Sequence, residues 1–323
     1  MPTRAAEYQA PAWLPGGDLQ TVYPYLFAAV PQVDYRRERW ELPDGDFIDL
    51  DWSERGSGPI VIVLHGLEGS SDSPYARGLM RAIEQRSWRG VVMHFRGCSG
   101  EPNRLARSYH SGDTGDIDFL VRTLKAREPN TPLTTIGYSL GGNALLKWLS
   151  EKGHEAPVQS AVAVSVPFLL HESTLHMQRG FARVYQWHLL KSLKRNVLRK
   201  VQRFTLPARA DEIQKMKTFY EFDDRITGPL HGFKDAMHYY TSSSSRQYLK
   251  RIRIPTLIVH AHDDPFMHAQ VIPEAHELSP TITLDLHRHG GHVGFVSGCF
   301  PWRPRYWLEE RIPNWLQIRM HRI

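Results

Sequence analysis

Between residues 59 and 168 the chain alternates unbroken apolar runs with stretches whose apolar positions recur every three or four residues. "PIVIVLHG" (59–66), "GVVMHF" (90–95), "LTTIGYS" (133–139) and "VQSAVAVSVPF" (158–168) have the pattern of strands buried on both faces. The segments between them, near 74–86, 116–128 and 142–153, read as amphipathic helices. Repeated strand-helix units predict an α/β fold with a mostly parallel sheet flanked by helices. Ahead of them, "RWELPDGDFIDLDW" (39–52) reads as a hairpin turning at Asp44 and Gly45.

The pattern then breaks. Residues 169–254 hold no convincing buried strand and are rich in Lys, Arg, His and aromatics, before "PTLIVHAHDD" (255–264) resumes the strand pattern. One crossover helix needs far fewer residues, so the expectation is a single domain over 1–323 with a helical cap inserted at about 169–254. A helix near 268–278, a strand "TITLDLHRH" (281–289) and a helix near 303–320 complete the reading, with "TSSSS" (241–245) expected to be a loop.

With 323 residues, 41% hydrophobic and 23% charged, the chain is long enough to bury a large core without disulfides. Its two cysteines, Cys98 and Cys299, stand in no zinc-ligand spacing and suit a reducing compartment. The N-terminal stretch lacks the apolar core of a signal peptide, and no later stretch approaches the roughly 20 apolar residues of a membrane span. The expected location is the cytoplasm. A net charge of +6 raises the question of an anionic partner, but basic and acidic residues are interspersed, so nucleic acid is not the expected partner.

The chemistry centres on "TTIGYSLGGNALLKWL" (134–149), where a strand ends on a serine crowded by glycines and a helix follows at once. Residues 137–141 spell G-Y-S-L-G, a G-x-S-x-G motif that in a strand-turn-helix setting projects the serine hydroxyl from the sheet edge. Ser139 is the expected nucleophile. The Leu140 N–H, at the start of the following helix, is one expected oxyanion donor, and the Leu67 N–H in "HGLEGS" (65–70) is the other.

A serine needs a base and the base an orienting carboxylate, and both should leave the C-terminal ends of later strands. "HAHDDPFM" (260–267) offers Asp263 and Asp264, of which only one can point at the site because strand residues alternate faces. Asp264 is preferred, leaving Asp263 to cap the turn or the next helix. "HRHGGHVGF" (287–295) offers His292 after a glycine pair, with His287 and His289 read as ordinary strand histidines. The order Ser139, Asp264, His292 is that of the α/β-hydrolases.

Together with "HFRGCSGEPNRLARSYHSGDTGDI" (94–117), "HGLEGSSDSPYARGL", "GYSLGGN", "FDDRITGPLHGF" and "HAHDDPF", these residues resemble the α/β-hydrolase superfamily, specifically the YheT-like branch of esterases related to eukaryotic abhydrolase-domain phospholipases. The resemblance runs from about residue 60 to 296. It implies an α/β-hydrolase fold and a Ser-Asp-His hydrolase without cofactor or metal, acting on a small-molecule ester or lipid. It also implies that "WLPGGDLQT" matches a family segment usually carrying histidine where Asp18 stands, a departure outside the triad. Arg96 to Gly100, Phe222, Asp223 and Asp224 recur in the family pattern and are read as structural turns and buried pairs.

The expected reaction is cleavage of carboxylic esters of short to medium acyl chain through an acyl-enzyme. A lipid-directed phospholipase or an alcohol acyltransferase would use the same triad. Two other classes compete with it. His260, His262 and Asp264 approach a binuclear metal motif, but Pro265 stands where a further histidine is required. A non-catalytic binding module would usually have lost a triad member. Finally, "LLKSLKRNVLRKVQRF" (189–204) spaces Leu190, Leu193, Val197, Val201 and Phe204 helically among six Lys or Arg. It reads as a cap helix over the acyl pocket, with peripheral contact to an anionic membrane as the alternative.

Overall fold

The apolar runs become strands β1 (Arg36–Glu41), β2 (Phe47–Ser53), β3 (Ile60–Leu64), β4 (Arg89–Met93), β5 (Leu133–Tyr138), β6 (Ser160–Val164), β7 (Thr256–Ala261) and β8 (Ile282–His287) of one sheet. They are seen in the computed structural model, which describes residues 8–28, 31–53 and 56–320. The strand order is β1-β2-β4-β3-β5-β6-β7-β8. β2 runs antiparallel to both β1 and β4, and the other pairings are parallel.

Period-two alternation sorts the strand side chains onto two faces. Ile60, Ile62 and Leu64 of β3 enter one core, while Val61 and Val63 enter the other. The first core is closed by α3 (Gly115–Arg127) and α4 (Leu140–Lys152), through Ile117, Leu120, Leu145 and Trp148. The second is closed by α2 (Pro74–Glu84) and the C-terminal helix Trp307–Met320, through Leu79, Ile83, Ile312 and Leu316. Both faces of the central strands β3 to β7 are covered, as buried parallel strands require.

Between β6 and β7 the described residues form helices and no strand. They include α5 (Leu170–His176), α6 (Ala182–Leu198) and α7 (Ala210–Lys215), then shorter turns and the helix Ala236–Ser243. α6 begins earlier and ends earlier than the 189–204 stripe suggests. Leu190 and Val197 are buried in a separate apolar cluster with Ile213, Met216 and Phe222, with Leu193 half-buried against it.

Two local expectations need correction, and a third point concerns an element the sequence pattern does not predict. Residues 268–278 form two short 3-10 turns, Ala269–Val271 and Ala275–Glu277, because Pro273 lacks the N–H a continuous helix would use. The serine run 241–245 is no surface loop: Ser243, Ser244 and Ser245 are buried where the helix Ala236–Ser243 ends. Asn143 of α4 fixes them there, donating to Ser243 O at 2.8 Å and accepting from Ser245 N at 3.0 Å. The third is an addition, helix α1 (Gly17–Phe27), whose signal is masked by Gly16, Gly17 and Pro24.

Candidate active site

Ser139 sits between β5 and α4 with φ 51° and ψ −118°, a conformation disfavoured for any residue with a Cβ. The flanking glycines make the turn possible. A Cβ on Gly141 would lie 2.4 Å from His65 O, and one on Gly137 would lie 2.5 Å from Gly141 O, distances no side chain tolerates. The strain is held by Ser139 N donating to Val164 O at 2.8 Å and Asn143 N donating to Ser139 O at 3.0 Å.

His292 and Asp264, from the loops after β8 and β7, meet this serine. His292 Nε2 is 3.0 Å from Ser139 Oγ, and His292 Nδ1 is 2.8 Å from Asp264 Oδ2. A carboxylate only accepts, so Nδ1 carries the ring proton and Nε2 turns its lone pair toward the serine hydroxyl. Asp264 is almost wholly buried, and its second oxygen accepts from Phe266 N at 2.9 Å. The Phe266 ring lies flat on the His292 ring, centroids 3.9 Å apart and planes 8° apart. Asp263 turns away: it accepts from Gly291 N at 2.9 Å and pairs with His289 at 3.1 Å, bracing the turn that presents His292.

α1 packs on that turn from the other side. Thr21 Oγ1 accepts from His292 N at 2.8 Å, and Gln20 exchanges hydrogen bonds with the Val296 backbone. A Cβ on Gly17 would fall 1.7 Å from Asp263 O, so glycine is required for this approach. The Gly-Gly-Asp-Leu-Gln-Thr stretch thus buttresses the His292 loop, a role that the sequence reading did not foresee. Asp18, at the departure from the family pattern, accepts from Tyr185 Oη of α6 at 2.9 Å.

The loop after β3 is arranged so that one amide stays unengaged. Gly66 N donates to Tyr75 Oη and Glu68 N to Tyr109 Oη, each at 2.8 Å. Among the described residues Leu67 N–H, between them, has no protein acceptor. Leu140 N–H, in the first turn of α4, has no intrahelical carbonyl to meet. His65 fixes the loop: Nδ1 donates to Gly66 O at 2.7 Å while Nε2 accepts from Phe95 N at 3.1 Å. Complete burial lowers its pKa to about 3, keeping it neutral.

These groups line a cavity of about 630 Å³ that contains Ser139 and His292. Its walls are mainly apolar, with Met177, Leu189 and Leu193 from the inserted helices facing Leu67 and Phe266. Asp223 also faces the cavity. It lies in a π-helical turn, Asp223–Thr227, and accepts from Thr227 Oγ1 and Tyr240 Oη, each at 2.7 Å. Burial raises its carboxyl pKa to about 6.

The remaining flagged residues are structural. Arg96 is buried among Asp116 (2.6 Å), Asp44 (2.6 Å) and Asp46 (3.3 Å), tying the end of β4 to the β1-β2 turn and to α3. Asp224 accepts from Ala236 N at 3.0 Å. His260 is buried against Phe168, and burial lowers its pKa to about 4. Among the described residues no three His, Cys, Asp or Glu side chains converge as metal ligands.

Comparison with known proteins follows the same lines. The α/β hydrolase fold family matches residues 59–298. The Escherichia coli (strain K12) protein YheT is 49% identical over 304 residues, spanning 92% of this chain and 89% of that one. Mouse phospholipase ABHD3 is 29% identical over 93% of this chain and 76% of its own length. The monoacylglycerol lipase of Saccharomyces cerevisiae is 30% identical over 88% of this chain and 63% of its own. Among solved structures, the Pyrococcus furiosus esterase Pf2001 superposes with a TM-score of 0.60 at 16% identity, covering 89% of this chain and 92% of that one, a likeness of fold.

Proposed function

The chain belongs to the α/β hydrolase fold family, and on that premise we propose that it is a serine hydrolase cleaving carboxylic esters through an acyl-enzyme. The observation that carries this reading is the hydrogen-bonded line from Asp264 through His292 to Ser139 at the wall of an apolar cavity.

Ser139 Oγ attacks the ester carbonyl carbon as His292 Nε2 takes the hydroxyl proton. The negative charge that develops on the carbonyl oxygen accepts from Leu67 N–H and Leu140 N–H, while Asp264 stabilises the imidazolium. The bond to the alcohol oxygen breaks, His292 returns its proton to that oxygen, and the acyl group remains on Ser139. Water then attacks with His292 as base, releasing the acid. No step calls on a cofactor.

Residues 169–254 act as the cap, closing the acyl pocket over Leu67 and Phe266. The cavity volume fits an ester of short to medium acyl chain. Its apolar lining and the lipase and phospholipase names of relatives support a lipid ester as the second reading. Two free cysteines accord with a reducing, cytoplasmic setting.

The test is hydrolysis of p-nitrophenyl esters from acetyl to palmitoyl by wild type and Ser139→Ala. Expected is activity peaking at short to medium chains and lost by on the order of a thousandfold or more in the variant. Equal activity in both would remove Ser139 as nucleophile.

A further inference from the structure

The cavity mouth is framed by an exposed apolar rim. Tyr25, Leu26 and Phe27 at the end of α1 are 64%, 65% and 66% exposed, and Trp187 of α6 is 63% exposed, beside Phe181 and Val184. Tyr25, Leu26, Val184 and Trp187 also line the cavity that holds Ser139, so the rim and the site are continuous. The two helices are tied to each other by Tyr185 and Asp18. Tyr23 Oη donates to Pro301 O at 2.7 Å, bringing in a loop that exposes Phe300 and Trp302. Large apolar side chains gathered in this way on a soluble surface mark an interaction site.

The charge around the rim says what it meets. Residues 173–210 contain nine Lys or Arg and no Asp or Glu; Lys200 is buried, Lys194 donates to backbone carbonyls and Arg209 pairs with Asp211, so the charge at the rim is that of the first part of α6. Arg183, Lys191 and Arg195 of α6 are exposed, and Lys191 Nζ lies over the Trp187 ring at 5.4 Å. Aromatic and aliphatic tips beside exposed cations are the combination that seats a protein in an anionic bilayer surface. The apolar stripe of 189–204 does not take part, because Leu190 and Val197 face the cluster within the inserted helices.

We propose that the rim formed by the end of α1 and the first half of α6 docks on anionic lipid surfaces and opens the catalytic cavity directly onto them. The inference rests on the ester-hydrolase reading for its use, since a docked mouth receives an amphipathic ester without passing it through water. The docking itself needs only the rim and its charge.

The experiment is co-sedimentation of the full chain with vesicles of phosphatidylcholine alone and of phosphatidylcholine with phosphatidylglycerol in equal parts, across a range of sodium chloride. Hydrolysis of a water-soluble ester is measured separately without vesicles. Wild type and Ser139→Ala should bind the anionic vesicles alike and release them as salt rises. Phe27→Ser with Phe181→Ser, and independently Arg183→Glu with Lys191→Glu, should each weaken binding by roughly tenfold or more while their unfolding transitions stay cooperative.

A wild type that stays in solution with anionic vesicles overturns the proposal, as do variants that bind like wild type. A rim that instead joins two copies, seen as a dimer that both pairs of substitutions dissociate, also overturns it. Absent docking beside intact ester hydrolysis removes this inference alone, whereas docking by a protein inactive on esters upholds it and removes the ester-hydrolase reading.

Discussion

Two neighbouring carboxylates follow β7, and sequence alternation says only that one of them reaches the site. In the structure the chain turns so that Asp264 meets His292 Nδ1 while Asp263 holds the backbone of the Gly290-Gly291 turn. Their substitutions should therefore part company. Asp264→Asn presents an amide that can no longer enforce the tautomer, and kcat should fall on the order of a thousand- to ten-thousandfold. Asn at 263 keeps an oxygen for Gly291 N–H, so Asp263→Asn should cost about tenfold or less. Steady-state kinetics on one soluble ester separates the two, and equal losses would contradict the assignment. Glu68 offers a second residue-scale test. It accepts from Tyr109 Oη at 3.0 Å and from Asn196 Nδ2 of α6, and burial raises its pKa to about 7. A carboxyl whose folded pKa exceeds its unfolded value contributes stability that is full below about pH 4.5 and is lost as pH rises through about 7. Glu68→Gln has no such proton to lose. Its Tm relative to wild type should climb between pH 5 and pH 8, and a constant difference would contradict the buried, protonated carboxyl. The glycine-flanked serine and the histidine after a glycine pair were legible because strained turns leave a composition signature. Phe266, stacked on His292, was not, since a lone aromatic in a loop looks like any other.

At the scale of elements, periodicity located β2 to β8 and α2 to α4 within a few residues, because the central strands are buried and largely apolar and helices on two layers keep one apolar stripe. It failed where local signal and tertiary role diverge. α1 opens on Gly16 and Gly17 and contains Pro24, so propensity argues against it, yet Gly17 is what allows it to touch Asp263 beside the His292 loop. The serine run 241–245 reads as flexible by composition and is rigid by context, because Asn143 satisfies its backbone from a helix a hundred residues earlier. The contact of α1 with the His292 loop predicts an effect at a distance from the chemistry. Thr21→Val keeps the shape of the side chain but leaves His292 N–H buried without its acceptor, at about 1–3 kcal/mol. Thermal unfolding should drop by a few degrees. With the imidazole less firmly placed, kcat should fall by about tenfold while KM changes little. An unchanged kcat would mean that α1 only packs against the loop.

Across the whole molecule, the strand order with a reversed β2 and a Ser, Asp, His series after β5, β7 and β8 brings residues 139, 264 and 292 to one edge of the sheet. That convergence was readable because open parallel sheets gather their loops at the carboxyl ends of the strands. What the sequence could not convey was the surface: the inserted helices bury the stripe at 189–204 and expose Phe181, Val184 and Trp187 instead. Which face of an amphipathic helix meets its neighbours depends on the partners it packs against, not on its own spacing. Among the described residues no helix is long and apolar enough to cross a membrane. The central claim is a covalent one, that the acyl group is carried by Ser139. Its most direct test is to treat the protein with a p-nitrophenyl alkylphosphonate, which mimics the tetrahedral intermediate, and to locate the adduct by mass spectrometry after proteolysis. The account predicts one phosphonyl group per chain on the peptide containing Ser139, with ester hydrolysis lost in step with labelling. An adduct on another residue, or full labelling with activity retained, would contradict it.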